Sequence, residues 1–69
     1  MHMSIGFSIK SWDRLDHGDV VLASKKGSED IIGRVDGKPT ADEIFLIERG
    51  GMPALLVKAD GWEVKIRRL

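Results

Sequence analysis

Two short apolar runs separated by a polar turn constrain this chain more than any other feature. Val20-Val21-Leu22-Ala23 forms the first run, and Ile31-Ile32 with Val35 forms the second. Ser24, Lys25, Lys26, Gly27, Ser28, Glu29 and Asp30 lie between them. Both runs are rich in β-branched residues and too short for stable helices, so they read as strands. Gly27 tolerates the positive φ that a tight turn needs. Leu15–Val35 is therefore expected to hold a β-hairpin that the other segments cover or extend. Gly33 interrupts the second strand, as glycine does at a bulge or at a tight bend of a barrel.

The flanking segments continue the β pattern. Ile5, Phe7 and Ile9 alternate with Gly6, Ser8 and Lys10, which predicts a strand with one buried face. Ser11 is placed to cap a single helical turn, and Trp12 and Leu15 would face the same way from it and plug one end of the fold. Asp36-Gly37-Lys38-Pro39 ends the hairpin. The next stretch supports two readings. Thr40 to Glu43 fits a capping box and Gly50 a C-cap, which suits a short helix over 41–49. The block Ile44-Phe45-Leu46-Ile47 suits a strand over Glu43–Glu48, because a helix would spread those side chains around its whole circumference. The strand is favoured. Gly50-Gly51-Met52-Pro53 is a turn, 54–58 a strand, Ala59-Asp60-Gly61 a hairpin turn, and 62–69 a last strand. On that strand Trp62, Val64 and Ile66 point one way and Glu63, Lys65 and Arg67 the other. The expected fold is all-β: a small, strongly bent barrel of five to six short strands with one helical turn.

A chain of 69 residues makes one domain. Residues 4–69 form it, and Met1-His2-Met3 reads as a cloning remnant and start. The apolar share, 42%, suffices for one core, and a partner would add burial that so small a domain lacks. Lys plus Arg equals Asp plus Glu at 11 each, which argues against a general binder of nucleic acid or membrane surfaces. The absence of Cys excludes disulfides and thiolate metal sites and is compatible with a reducing compartment. No apolar run is long enough to span a bilayer and no signal peptide is visible, so a cytoplasmic location is expected.

Ser11-Trp12-Asp13-Arg14-Leu15, then Gly18-Asp19-Val20-Val21, then a late Asp60-Gly61-Trp62-Glu63-Val64 resembles the small SH3-like β-barrel proteins of unknown function from actinobacterial phages. The resemblance covers most of the chain from Ser11. It implies an SH3-like barrel, a phage origin with the host cytoplasm as location, and a role of the kind such proteins play in binding a host protein. It implies no activity and no functional residue. His17-Gly18-Asp19-Val20-Val21-Leu22-Ala23 is similar to the strand after the nucleophile in LexA-like Ser–Lys peptidases. That family has Ser-Met shortly before the Gly-Asp, whereas here Ser11 is followed by Trp12, so the motif is broken.

Candidate sites are few. Asp13, Asp16, His17 and Asp19 offer oxygen and imidazole donors for a divalent cation, but the same residues suit a polar turn whose carboxylates bond their own backbone. Ser24 and Lys25 are strand neighbours that point to opposite faces and form no dyad. No enzyme, metal or cofactor is expected. Lys58, Lys65, Arg67 and Arg68 gather positive charge in the last two strands, an alternative contact face for nucleic acid if those strands pair. The leading expectation is a protein contact strip of Phe45, Ile47, Met52 and Leu56, because a barrel this small cannot cover four consecutive apolar side chains. The partner would be a second copy, giving a homo-oligomer, or a host protein.

Overall fold

Period-two alternation separates the side chains of each strand onto two faces, and the buried positions follow that parity through the chain. A computed structural model describes residues 5–68, so the remnant expected at 1–3 lies outside the described residues. The strands are β1 (Ile5–Ile9), β2 (Val20–Ser24), β3 (Ile31–Asp36), β4 (Glu43–Glu48), β5 (Pro53–Val57) and β6 (Glu63–Arg68). They form one antiparallel sheet in the order β1-β6-β2-β3-β4-β5. The expected hairpin is present as β2 and β3, with Val21 opposite Gly33 and Ala23 opposite Ile31. Among the described residues β1 and β5 do not pair with each other, so the sheet is open.

The core lies on one face of this sheet. Val21, Ala23, Val35, Ile44, Leu46, Leu56, Val64 and Ile66 supply it from the strands. Trp12 and Leu15 complete it from a 3-10 turn, Trp12–Arg14, and the residue after it. The two side chains do face one way and are buried, as their spacing predicts. Ser11 precedes the turn but its hydroxyl caps nothing; the Arg14 N–H donates to the Ser11 carbonyl instead. A second 3-10 turn, Lys58–Asp60, adds to the one helical turn expected and lies where the end of a strand and a hairpin turn were expected.

The segment 41–49 is the strand β4. Thr40 keeps the hydrogen bonds of a cap: its Oγ1 accepts from the Glu43 N–H at 3.0 Å and donates to the Glu43 carbonyl at 3.3 Å. These bonds close a turn that opens a strand. The reason lies in the block that follows. Ile44 and Leu46 enter the core while Phe45 and Ile47 leave it, a two-sided division that a helix cannot make. At the far end, Gly50 (φ 100°) and Gly51 (φ 90°) turn the chain into β5 in a backbone region that side chains disfavour.

The last hairpin expected from Asp60-Gly61 does not form. β5 pairs with β4, and β6 inserts between β1 and β2. Val64 and Ile66 need cover on both sides. They receive it opposite Ala23 and Val21 on one flank and Ile9 and Phe7 on the other. Gly61, in the left-handed region at φ 97°, ends the second 3-10 turn and sends the chain across to that slot. Trp62 lies just before β6 and is partly buried, with Lys25 Nζ 4.6 Å from its ring centroid. Phe7 points to the core side of β1 but is 60% exposed, because β1 is an edge strand that has no neighbour beyond it among the described residues.

Candidate interaction surface

The outer face of β4 and β5 exposes a group of apolar side chains. Phe45 stands directly opposite Leu55, and Ile47 opposite Pro53. Phe45 is 52% exposed and Leu55 48%, while Ile47 is partly buried. Met52, in the turn between the strands, is 65% exposed. Three of the four expected strip residues are thus gathered here. Leu56 is not: it is 2% exposed and packs in the core opposite Ile44. The error is one of parity, since adjacent strand residues face opposite ways. Counting back from the turn places Pro53 opposite Ile47 and so Leu55 opposite Phe45; that count was the signal available for Leu55.

Among the described residues the outer edge of β5 pairs with no strand. The Glu48 N–H donates to the Met52 carbonyl at 2.7 Å and the Lys58 N–H to the Asp42 carbonyl at 2.8 Å. These bonds bracket the β4–β5 ladder, so residues 54 and 56 turn their backbone polar groups toward β4. Pro53, Leu55 and Val57 turn theirs outward. The missing N–H of Pro53 therefore falls on the unpaired side, where it interrupts no ladder bond.

The expected basic face is dispersed. Lys58 lies on the second 3-10 turn, donates to the Lys10 carbonyl, and sits 5.8 Å from the Trp12 ring centroid. Lys65 and Arg67 are on β6, which pairs with β1 and β2 and not with β5. Arg68 ends β6, and its side chain lies outside the described residues. A different basic group forms on the outer face of β2, β3 and β4. Arg34, Arg49 and Arg67 line a shallow cavity of about 410 Å³ with Val20, Ile32 and Ile47. Sequence spacing gave no sign of it, because its members come from β3, from β6 and from the turn after β4.

The acidic cluster serves the turn before β2. The Asp16 N–H donates to Asp19 Oδ2 at 2.9 Å, and the Gly37 N–H to His17 Nδ1 at 3.0 Å. His17 thereby ties this turn to the end of β3. Among the described residues no group of His, Asp and Glu has the arrangement of a metal site. Removing the Asp19 carboxylate is expected to cost about 1 kcal/mol, the usual worth of one such exposed bond. Thermal unfolding of Asp19→Ala checks this, and a melting temperature equal to wild type would contradict it.

Among the described residues no helix is long and apolar enough to cross a membrane. No family model, curated protein or solved structure matches the chain.

Proposed function

We propose that the chain is a non-catalytic protein-interaction module built on an open, SH3-like barrel, and that its simplest partner is a second copy. The strand order, with the last strand inserted between β1 and β2 after a 3-10 turn, supports the barrel reading. The phage origin and host-cytoplasm location implied by the resemblance fit such a module and remain part of the proposal. The carrying observation is the Phe45–Leu55 pair, half exposed beside a free strand edge.

That edge is self-complementary. β5 carries no charge along Pro53-Ala54-Leu55-Leu56-Val57. In an antiparallel pairing centred on Leu55, each Leu55 exchanges both backbone bonds with its counterpart. Each Val57 N–H donates to the opposite Pro53 carbonyl, and only the bonds that need a proline N–H are lost. The outer faces then join into one apolar row: Phe45, Leu55, and the same two residues of the second copy. Exposed, uncharged edges of this kind are where sheets associate. Nucleic-acid binding through Lys58, Lys65, Arg67 and Arg68 is less well supported, because Lys58 is occupied elsewhere.

Sedimentation equilibrium over a concentration series tests the reading. Wild type is expected to form dimers, and Phe45→Asp to shift the dissociation constant upward at least tenfold by placing four carboxylates with Asp36, its cross-strand neighbour, around the two-fold axis. A wild type that stays monomeric at millimolar concentration defeats self-association.

A further inference from the structure

We infer that the cavity bounded by Arg34, Arg49 and Arg67 is a second binding site, for an acidic peptide segment that carries an apolar side chain between its carboxylates. The geometry is set by cross-strand neighbours. Arg34 lies opposite Val20 on one side and Ile47 on the other. Arg67 follows Ile66, which is opposite Val21, so it flanks Val20 from β6. Arg49 follows Glu48, which is opposite Gly33, so it flanks Ile32 from the end of β4. Strands are spaced about 4.8 Å apart, which puts the backbones of Arg34 and Arg67 about 10 Å apart with an apolar floor between them.

Charge complementarity selects the occupant. Among the described residues, none of the three guanidinium groups makes an ion pair or a hydrogen bond to protein. Glu48 is the one acidic residue lining the cavity. The chain as a whole is neutral, so this face concentrates positive charge that other faces offset. Idle arginines are fitted for carboxylates, which they grip through paired N–H donors. Val20 and Ile32, 39% and 49% exposed, would cover an apolar side chain between them. Among the described residues no aromatic side chain lines the cavity, so they offer no stacking platform of the kind on which single-stranded nucleic acid relies. This goes beyond the dimer reading: Ile47 borders both surfaces, but the three arginines and the partner chemistry belong to this one.

Fluorescence anisotropy at low ionic strength tests it with three labelled probes. These are a peptide of alternating Glu and Leu, the same peptide with Gln for Glu, and a single-stranded DNA of matching charge. Wild type is expected to bind the Glu–Leu peptide at least tenfold more tightly than the Gln–Leu peptide and more tightly than the DNA. The Arg34→Gln/Arg67→Gln variant should lose at least tenfold toward the Glu–Leu peptide while its circular dichroism and unfolding transition stay those of wild type. Arg49→Gln, off the strands, serves as a second variant with a smaller loss. Equal binding of both peptides, tighter binding of the DNA, or an unaffected arginine variant overturns the site. Dimerisation is read separately by sedimentation, so failure of one reading leaves the other standing.

Discussion

Trp12→Ala is expected to lower the unfolding free energy by about 3–5 kcal/mol and to move the urea midpoint far below that of wild type. Trp12 is 1% exposed and among the largest fully buried side chains of the described core. Deleting a buried Trp side chain costs about 3–5 kcal/mol, because the site loses transfer free energy and gains a cavity. A domain of this length has a total stability of only about 3–10 kcal/mol, at roughly 0.05–0.15 kcal/mol per residue. The substitution thus removes a large share of what holds the fold. No strand can slide in to fill the gap, since Trp12 reaches the core from a 3-10 turn outside the sheet. Trp62→Ala is the matched control. Trp62 is partly buried and held on its outer side by Lys25, a contact worth about 0.5–1 kcal/mol at an exposed site. Urea unfolding followed by circular dichroism distinguishes the two. A Trp12→Ala midpoint close to wild type would mean that the turn does not plug the core.

Gly33→Ala is the second large effect, and it acts through space rather than backbone freedom. Gly33 has an ordinary φ, but a Cβ there would lie 2.9 Å from the Ile47 carbonyl oxygen and 3.1 Å from Leu46 Cβ. The first of these is backbone and cannot swing away. The pairing on both sides of Gly33 runs without a bulge, from Val21 on β2 to Glu48 on β4. Glycine therefore permits a close approach of β3 to β4, the condition for a strongly bent sheet at that point. Overpacking costs about 1–3 kcal/mol, offset by about 0.4–1 kcal/mol for the more restricted unfolded chain. The net loss, centred on about 1.3 kcal/mol, should lower the melting temperature by roughly 5–10 °C at 4–8 °C per kcal/mol. Ile32→Ala, at the exposed neighbour, should change it by only a few degrees. Equal melting temperatures for Gly33→Ala and wild type would show that the strands separate there at no cost.

The candidate surface is partly legible in the sequence. The four-residue block Ile44–Ile47 cannot be wholly buried in so small a sheet, and that alone pointed to Phe45 and Ile47. Leu56 went astray because an uninterrupted apolar stretch, Leu55-Leu56-Val57, shows no alternation from which to read its parity. The partner strand decided it: Leu56 is opposite the buried Ile44. The arginine cavity was illegible for a stronger reason. Arg34, Arg49 and Arg67 are far apart in the chain, and only the order β6-β2-β3-β4 brings them to one place.

Local pattern alone determined the β class, the β2–β3 hairpin and the inward turn at Trp12 and Leu15, and it favoured the strand Glu43–Glu48 over a short helix without deciding between them. Each follows from the two-residue period of a strand or from turn chemistry within a few residues, and both are properties of neighbouring side chains. The tertiary structure decided which strands pair beyond that hairpin. It moved β6 away from β5, left the β5 edge open, and assembled the arginines. Those outcomes depend on where backbone hydrogen bonds and the cover of Val64 and Ile66 can be satisfied together. That balance involves the whole sheet, so no stretch of the chain encodes it by itself.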